Sequence, residues 1–161
     1  MTVSALTLMI PSPDHMTKLA QTIASALRPG DCILLSGDIG VGKSHFARAA
    51  IQSLLPTPED VPSPTFTLVQ VYDGPLCEIW HSDLYRLSAV DEIYELGLVD
   101  AFDHHITLVE WPDRLETETP DHALNIAFDL CTVSDDARHL SLTWSHPKWA
   151  PLMKKITDDH A

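Results

Sequence analysis

The sequence of 161 residues predicts an α/β domain built on a mixed central β-sheet. Three observations predict it. Strand-like and helix-like segments interleave along the whole chain, the pattern of helices layered on a sheet. The apolar run Cys32-Ile33-Leu34-Leu35 is continuous rather than alternating, as a strand buried on both faces of a parallel sheet reads. Segments 122–131 and 138–145 do alternate, and predict a late antiparallel pair around Ser134-Asp135-Asp136.

Each element has its own signals. Residues 3–10 read as a first strand. Ser12-Pro13 then supplies a helix cap with proline at the first helical position. Met16, Leu19, Ala20, Ile23, Ala24 and Leu27 follow at spacings of three and four, an amphipathic helix that Pro29-Gly30 ends. Beyond the Cys32–Leu35 strand and a glycine-rich string, Phe46, Ala47, Ala50, Ile51 and Leu54 predict a second helix, stopped by Pro56. Residues 57–64 carry three prolines and read as a loop. Phe66–Tyr72 and Leu76–Ser82 predict a hairpin turning at Asp73-Gly74-Pro75. Ser88 and Asp91 have capping-box spacing before a helix that ends at Gly97. Ile106–Val109 predicts another buried strand, running into Glu110-Trp111-Pro112. The tail from Pro147 predicts a short docked helix, with Asp158–Ala161 frayed. No repeat or linker divides the chain, so one domain over residues 1–161 is expected.

Composition excludes several functions. The formal net charge is −13. Most of the excess acid lies after residue 80. A chain that binds nucleic acid or an anionic membrane on its own needs a basic footprint, which is missing. No apolar run approaches a membrane span, and no basic flank precedes an apolar stretch at the N-terminus. Cys32, Cys77 and Cys131 are far apart, with neither metal-ligand nor disulfide-framework spacing, so a cytoplasmic location is expected. The histidines show no helical pair on one face, and no zinc site is predicted.

The string Gly37-Asp38-Ile39-Gly40-Val41-Gly42-Lys43-Ser44 fits G-x-x-x-x-G-K-[ST] at every fixed position. Glycines let the backbone curl so that amide N–H groups point inward at phosphate oxygens. Lys43 brings a charge to the β- and γ-phosphates, and Ser44 offers a hydroxyl to Mg²⁺. The helix beginning there turns its positive end to the anion. An apolar strand before the string and an amphipathic helix after it are the context the motif requires. A P-loop NTPase-like three-layer fold, with ATP and Mg²⁺ as cofactors, follows as the expectation.

Magnesium needs further oxygens. P-loop enzymes supply a carboxylate at the end of a neighbouring buried strand. Glu110 stands there, although the spacing also fits a solvated strand-end carboxylate. Asp83 follows another strand, and alternation puts it on one face with His81. It suits polarising the attacking water, and it equally suits capping a turn. Thr65 lies in the proline-constrained loop Ser63-Pro64-Thr65, where nucleotide-sensing segments occur, or is an ordinary loop hydroxyl. Trp111 could stack on a base, while a tryptophan in that place more often packs half-buried.

With these residues in place, the sequence resembles the TsaE (YjeE) family, bacterial P-loop ATPases of tRNA threonylcarbamoyladenosine biosynthesis. Four blocks carry the match: GDIGVGKS at Gly37–Ser44, SPTFTLV at Ser63–Val69, HSDLYRL at His81–Leu87 with Glu95-Leu96-Gly97-Leu98 after it, and VEWP at Val109–Pro112. The resemblance implies a compact fold that binds ATP and Mg²⁺ and hydrolyses ATP slowly. It implies work with the TsaB–TsaD pair, which transfers a threonylcarbamoyl group to adenosine 37 of tRNA, with tRNA met through that complex. It further implies that Lys43 binds phosphate, Ser44 and Glu110 hold Mg²⁺, Asp83 is the catalytic carboxylate, and Thr65 belongs to a switch-like loop. Here Ser44 stands where the family usually has Thr, and Ile39 and Val41 where it has Leu and Ala. His45 stands at a position that is often Thr. The region after Arg114 diverges most, so an adenine contact near Arg138 is the weakest transfer.

Three rivals remain from the residues themselves. A small-molecule kinase needs several cations around two sets of phosphates, and Arg28, Arg48, Arg86, Arg114 and Arg138 are scattered. A GTPase usually carries N-K-x-D, whereas Asn125 is followed by Ile126. A nucleotide-gated binding protein, with hydrolysis as its timer, stays compatible with every residue above.

Overall fold

A computed structural model describes residues 2–159. Within them, the strands are β1 (Ser4–Ile10), β2 (Cys32–Ser36), β3 (Val69–Asp73), β4 (Glu78–Asp83), β5 (Ile106–Glu110), β6 (Leu124–Leu130) and β7 (Arg138–Trp144). The α-helices are α1 (Pro13–Ser25), α2 (Lys43–Leu54), α3 (Asp91–Glu95), α4 (Leu98–His104) and α5 (Ala150–Asp159). All seven strands join one sheet in the order β1-β7-β6-β2-β5-β4-β3. The pairs β2–β5, β4–β5 and β2–β6 are parallel, and the pairs β1–β7, β6–β7 and β3–β4 are antiparallel. The expected mixed sheet is therefore present.

Burial explains the continuous apolar run. Ile33 and Leu35 pack into a core with α1, α2 and α5, while Cys32 and Leu34 pack into a second core with α3 and α4. Successive residues of β2 point to opposite faces, and both faces are covered. The layers are helix, sheet, helix. At the start of α1 the Ser12 hydroxyl accepts from the His15 N–H at 3.3 Å, with Pro13 in the first turn. This is the cap the sequence predicts.

The hairpin, the helix after Ser88 and the tail each need correction. Phe66–Leu68 is a turn rather than strand: Leu68 is left-handed (φ 67°), and pairing begins at Val69 opposite Ser82. At the other arm, Leu76 and Cys77 belong to the turn, where the Gly74 N–H donates to the Cys77 carbonyl at 3.1 Å. The helix after Ser88 is the short α3, and the carboxylate returning to its start is Glu92 instead of Asp91. Glu92 accepts from the Ser88 and Ala89 N–H groups at 3.0 and 3.1 Å. That helix does end just before Gly97, as expected, but a second one follows. Gly97 is left-handed (φ 81°) and turns the chain directly into α4, which the sequence reading missed. Finally, α5 runs through Asp159, so Asp158 and Asp159 are helical; His160 and Ala161 lie outside the described residues.

The tail docks firmly. Lys148 pairs with the buried Asp31 carboxylate, and the Trp149 indole N–H donates to the His122 carbonyl at 2.7 Å.

Burial also sets the chemistry of the thiols. Cys32 is fully buried and its pKa is pushed up to about 12, while Cys77 is half-buried, its thiol also raised by burial. Alkylation requires the thiolate. In native protein at about pH 8, iodoacetamide is expected to modify Cys77 first and to leave Cys32 intact until denaturant is added. Mass spectrometry of timed digests checks this, and equal rates at both thiols would contradict it.

Candidate functional site

The site is built at the C-terminal ends of three parallel strands. β2 ends at Ser36, and the chain turns at Gly37 with φ 137°. A side chain there is barred: a Cβ would sit 2.6 Å from the Phe128 carbonyl oxygen on β6. Gly40 and Gly42 also have positive φ, 82° and 109°, where other residues are strained. The curl delivers the chain to α2, whose first turn closes with the Phe46 N–H on the Gly42 carbonyl at 3.0 Å. The amides just before it have no helical acceptor, so they are free for an anion at the helix start.

The Lys43 side chain folds back over this loop. Its ammonium donates to the Gly37 carbonyl at 2.5 Å and lies 3.6 Å from the centre of the Trp111 ring. Trp111 reaches that place through a left-handed backbone (φ 58°) directly after β5, and the Tyr85 ring leans on it at 4.9 Å. Lys43 is only 4% exposed. Burial pulls its pKa below the ordinary lysine value, opposed by the negative fields of Glu110, Asp83, Asp38 and Asp113.

Two carboxylates meet at the adjoining strand ends. The parallel β4–β5 register sets Asp83 opposite Glu110, and both are buried. The Glu110 Oε1 accepts from the Ser44 hydroxyl at 3.0 Å, and its Oε2 lies 2.7 Å from His81 Nε2. Asp83 caps a turn, one of the two roles the sequence left open, and it also faces the cavity. Its Oδ1 caps the following turn at the Tyr85 N–H (3.0 Å), and the residue lines the cavity. Its Oδ2 is 3.5 Å from the Thr65 hydroxyl, which is 2.9 Å from that of Ser63.

These groups border an open cavity of about 490 Å³. Of the sequence-predicted residues, Ile39, Gly40, Gly42, Lys43, Ser44, His45, Thr65, Asp83, Glu110 and Trp111 line it. Gly37 is wedged against β6, Asp38 is exposed outside the lining, and the Val41 side chain is buried in the core. Arg138 stands outside the cavity. From β7 its Nε donates to the Val41 carbonyl at 3.0 Å, bracing the loop. His45 Nε2 lies 2.9 Å from the Thr17 hydroxyl and 3.2 Å from the Pro13 carbonyl, tying α2 to the start of α1. Sequence reasoning passed over Ser63, Tyr85 and Arg86 as lining residues. All three fall inside the strings that carry the resemblance, which was the available signal.

The donor set suits magnesium. Ser44 Oγ and Glu110 Oε1 are hard oxygens already at contact distance, with the Asp83 carboxylate one strand away. Mg²⁺ prefers a few protein oxygens completed by phosphate and water. Among the described residues, no His, Cys, Asp and Glu cluster forms an all-protein metal cage.

The chain is similar to known proteins over most of its length. Residues 10–139 match the family described as threonylcarbamoyl adenosine biosynthesis protein TsaE. This chain belongs to the TsaE family. A TsaE protein of Rickettsia bellii is 37% identical over 132 residues, covering 82% of this chain and 90% of that one. TsaE of Bacillus subtilis is 33% identical over 147 residues, with 91% and 90% covered. The crystal structure of Bacillus subtilis YdiB superposes with a TM-score of 0.77 at 26% identity, over 100% of this chain and 99% of that one. The glycine-rich loop Gly37–Ser44, the Asp83 and Glu110 strand ends and the Thr65 loop all lie within the TsaE match. TsaE proteins act in tRNA threonylcarbamoyladenosine biosynthesis.

Proposed function

We propose that this TsaE chain binds ATP with Mg²⁺ and hydrolyses it slowly, in the cytoplasm, to drive the TsaB–TsaD threonylcarbamoyl transferase between turnovers. One observation carries the reading: Lys43, Ser44, Asp83 and Glu110 converge on one cavity at the ends of β2, β4 and β5. Parallel sheets bind ligands at that edge.

Each residue then has a task. The loop amides and Lys43 hold the phosphate chain, and Lys43 exchanges the Gly37 carbonyl for phosphate oxygen. Ser44 and Glu110 would hold Mg²⁺, which supplies positive charge to the β- and γ-phosphate oxygens when bound. Asp83, beside them, accepts a hydrogen bond from the water that attacks the γ-phosphorus, while ADP leaves with the bridging oxygen.

Two of the rival readings have less support. Arg28, Arg48, Arg114 and Arg138 each donate to backbone carbonyls. Arg86 lines the cavity, which is too little cation for the second phosphate set of a kinase. The missing N-K-x-D string favours adenine over guanine. The net charge of −13 fits a protein that leaves tRNA contact to its partners. Among the described residues, no helix is long and apolar enough to cross a membrane.

The test is a pull-down of TsaB–TsaD from the same organism with a non-hydrolysable ATP analogue and Mg²⁺, with ADP, and without nucleotide. Capture is expected with the ATP analogue and reduced capture with ADP. Absence of capture in all three would overturn the partner assignment. Capture combined with no measurable hydrolysis would favour a nucleotide-gated binding protein.

A further inference from the structure

Glu110 is held from two sides. Ser44 donates to Oε1 at 3.0 Å, and His81 Nε2 sits 2.7 Å from Oε2. His81 is 1% exposed and Glu110 is 2% exposed. The contact is not a neighbour pair of the ladder. In the β4–β5 register His81 lies opposite Leu108, so its ring leans along the strands to reach Glu110. We infer that His81 is a positioning residue for the metal: it pins one oxygen of Glu110 so that the other stays aimed at Ser44. This inference rests on the proposal that Ser44 and Glu110 are the magnesium ligands.

The chemistry of the pair supports it. A carboxylate oxygen accepts, so Nε2 is the donating nitrogen of this contact and the other ring nitrogen, Nδ1, must find a partner elsewhere. Nδ1 is buried and has no hydrogen-bond partner among the described residues. An apolar side chain at this place would leave no such orphan, and proteins tolerate that cost mainly where a residue has another task. A competitor for Glu110 is also at hand. Lys43 feels the Glu110 field more than that of any other acid. A glutamate freed from His81 has three rotatable bonds and a buried ammonium to turn toward. That movement would take a ligand from the metal and charge from the phosphate. Outer partners that orient ligands in this way typically change metal affinity 10–100-fold when removed.

The test compares His81→Leu, His81→Asn and His81→Gln. Glutamine can place an N–H near the Nε2 position, whereas asparagine is too short. The readout is calorimetric binding of a non-hydrolysable ATP analogue, in EDTA and across a Mg²⁺ titration, beside the Mg²⁺ dependence of hydrolysis. His81→Leu and His81→Asn are expected to raise the half-saturating Mg²⁺ roughly tenfold or more, with little change in EDTA. His81→Gln is expected to return most of that shift. If His81→Leu fails to fold, the Asn and Gln pair still reads the effect. An unchanged Mg²⁺ midpoint, or an equal loss of binding in EDTA, would overturn the inference. Glu110→Ala separates the two levels. If it shifts the midpoint and the His81 variants do not, the positioning role alone is wrong. If Glu110→Ala shifts nothing, the metal assignment fails and takes the positioning role with it.

Discussion

Lys43→Ala is expected to abolish ATP binding. The ammonium is the cation of the phosphate loop, held 2.5 Å from the Gly37 carbonyl and covered by Trp111. Hydrogen bonds from charged donors contribute about 1.5–3 kcal/mol each, so losing two to phosphate costs at least about a hundredfold in affinity. Stability should behave differently. Burial holds the Lys43 pKa below its ordinary value, so its charged form is less favoured folded than unfolded. That penalty applies throughout the range where the unfolded lysine is protonated, and fades only as pH rises toward the unfolded pKa. At neutral pH the alanine variant escapes it. The ligand-free variant is therefore expected to melt no lower than about the wild-type temperature, with ATP no longer raising the midpoint. Calorimetry and thermal melts with and without ATP·Mg²⁺ check both halves. Normal ATP binding by Lys43→Ala would end the nucleotide reading.

Glu110→Ala should instead separate binding from turnover. The loop amides and Lys43 remain, so ATP binding in EDTA persists. The metal loses its carboxylate, Ser44 loses its acceptor, and His81 loses its partner. Charge stabilisation by a bound metal is worth several kcal/mol in phosphoryl transfer, so Mg²⁺-dependent hydrolysis is expected to fall about a hundredfold or more. Single-turnover rates over a Mg²⁺ series measure this. A variant that hydrolyses at the wild-type rate would remove Glu110 from the metal site.

The glycine-rich loop was legible because its geometry is local. Eight consecutive residues carry the backbone curl, the lysine and the hydroxyl. Glu110 was legible as the residue after a buried strand. The His81–Glu110 contact was not, since it spans 29 positions and depends on the stagger between β4 and β5. The Arg138 brace was hidden for the same reason, because only the β7–β6–β2 arrangement brings it to Val41. Among the elements, α4 was missed because a glycine commonly ends a helix. Gly97 instead joins two short helices, lying against the Trp80 ring that packs in the same core. The overlong hairpin arms followed from apolar composition. Phe66 is 82% exposed with Arg86 over its ring, a partner that lies twenty positions further on.

The sheet order has a consequence for how the chain is made. Among the described residues β1 pairs only with β7, Ser4 against Trp144, so β1 waits until β7 has been made before it gains a partner. Strands β2 to β5 can assemble while synthesis continues, yet the phosphate loop is finished only when β6 arrives, because Gly37 is wedged against the Phe128 carbonyl. Such distant pairings slow folding. A nascent chain that stops short of β6 therefore carries the whole phosphate-loop sequence without the wall that gives the loop its shape. Under the proposed function, nucleotide capture would then be a late event on the ribosome, reporting that the sheet has closed.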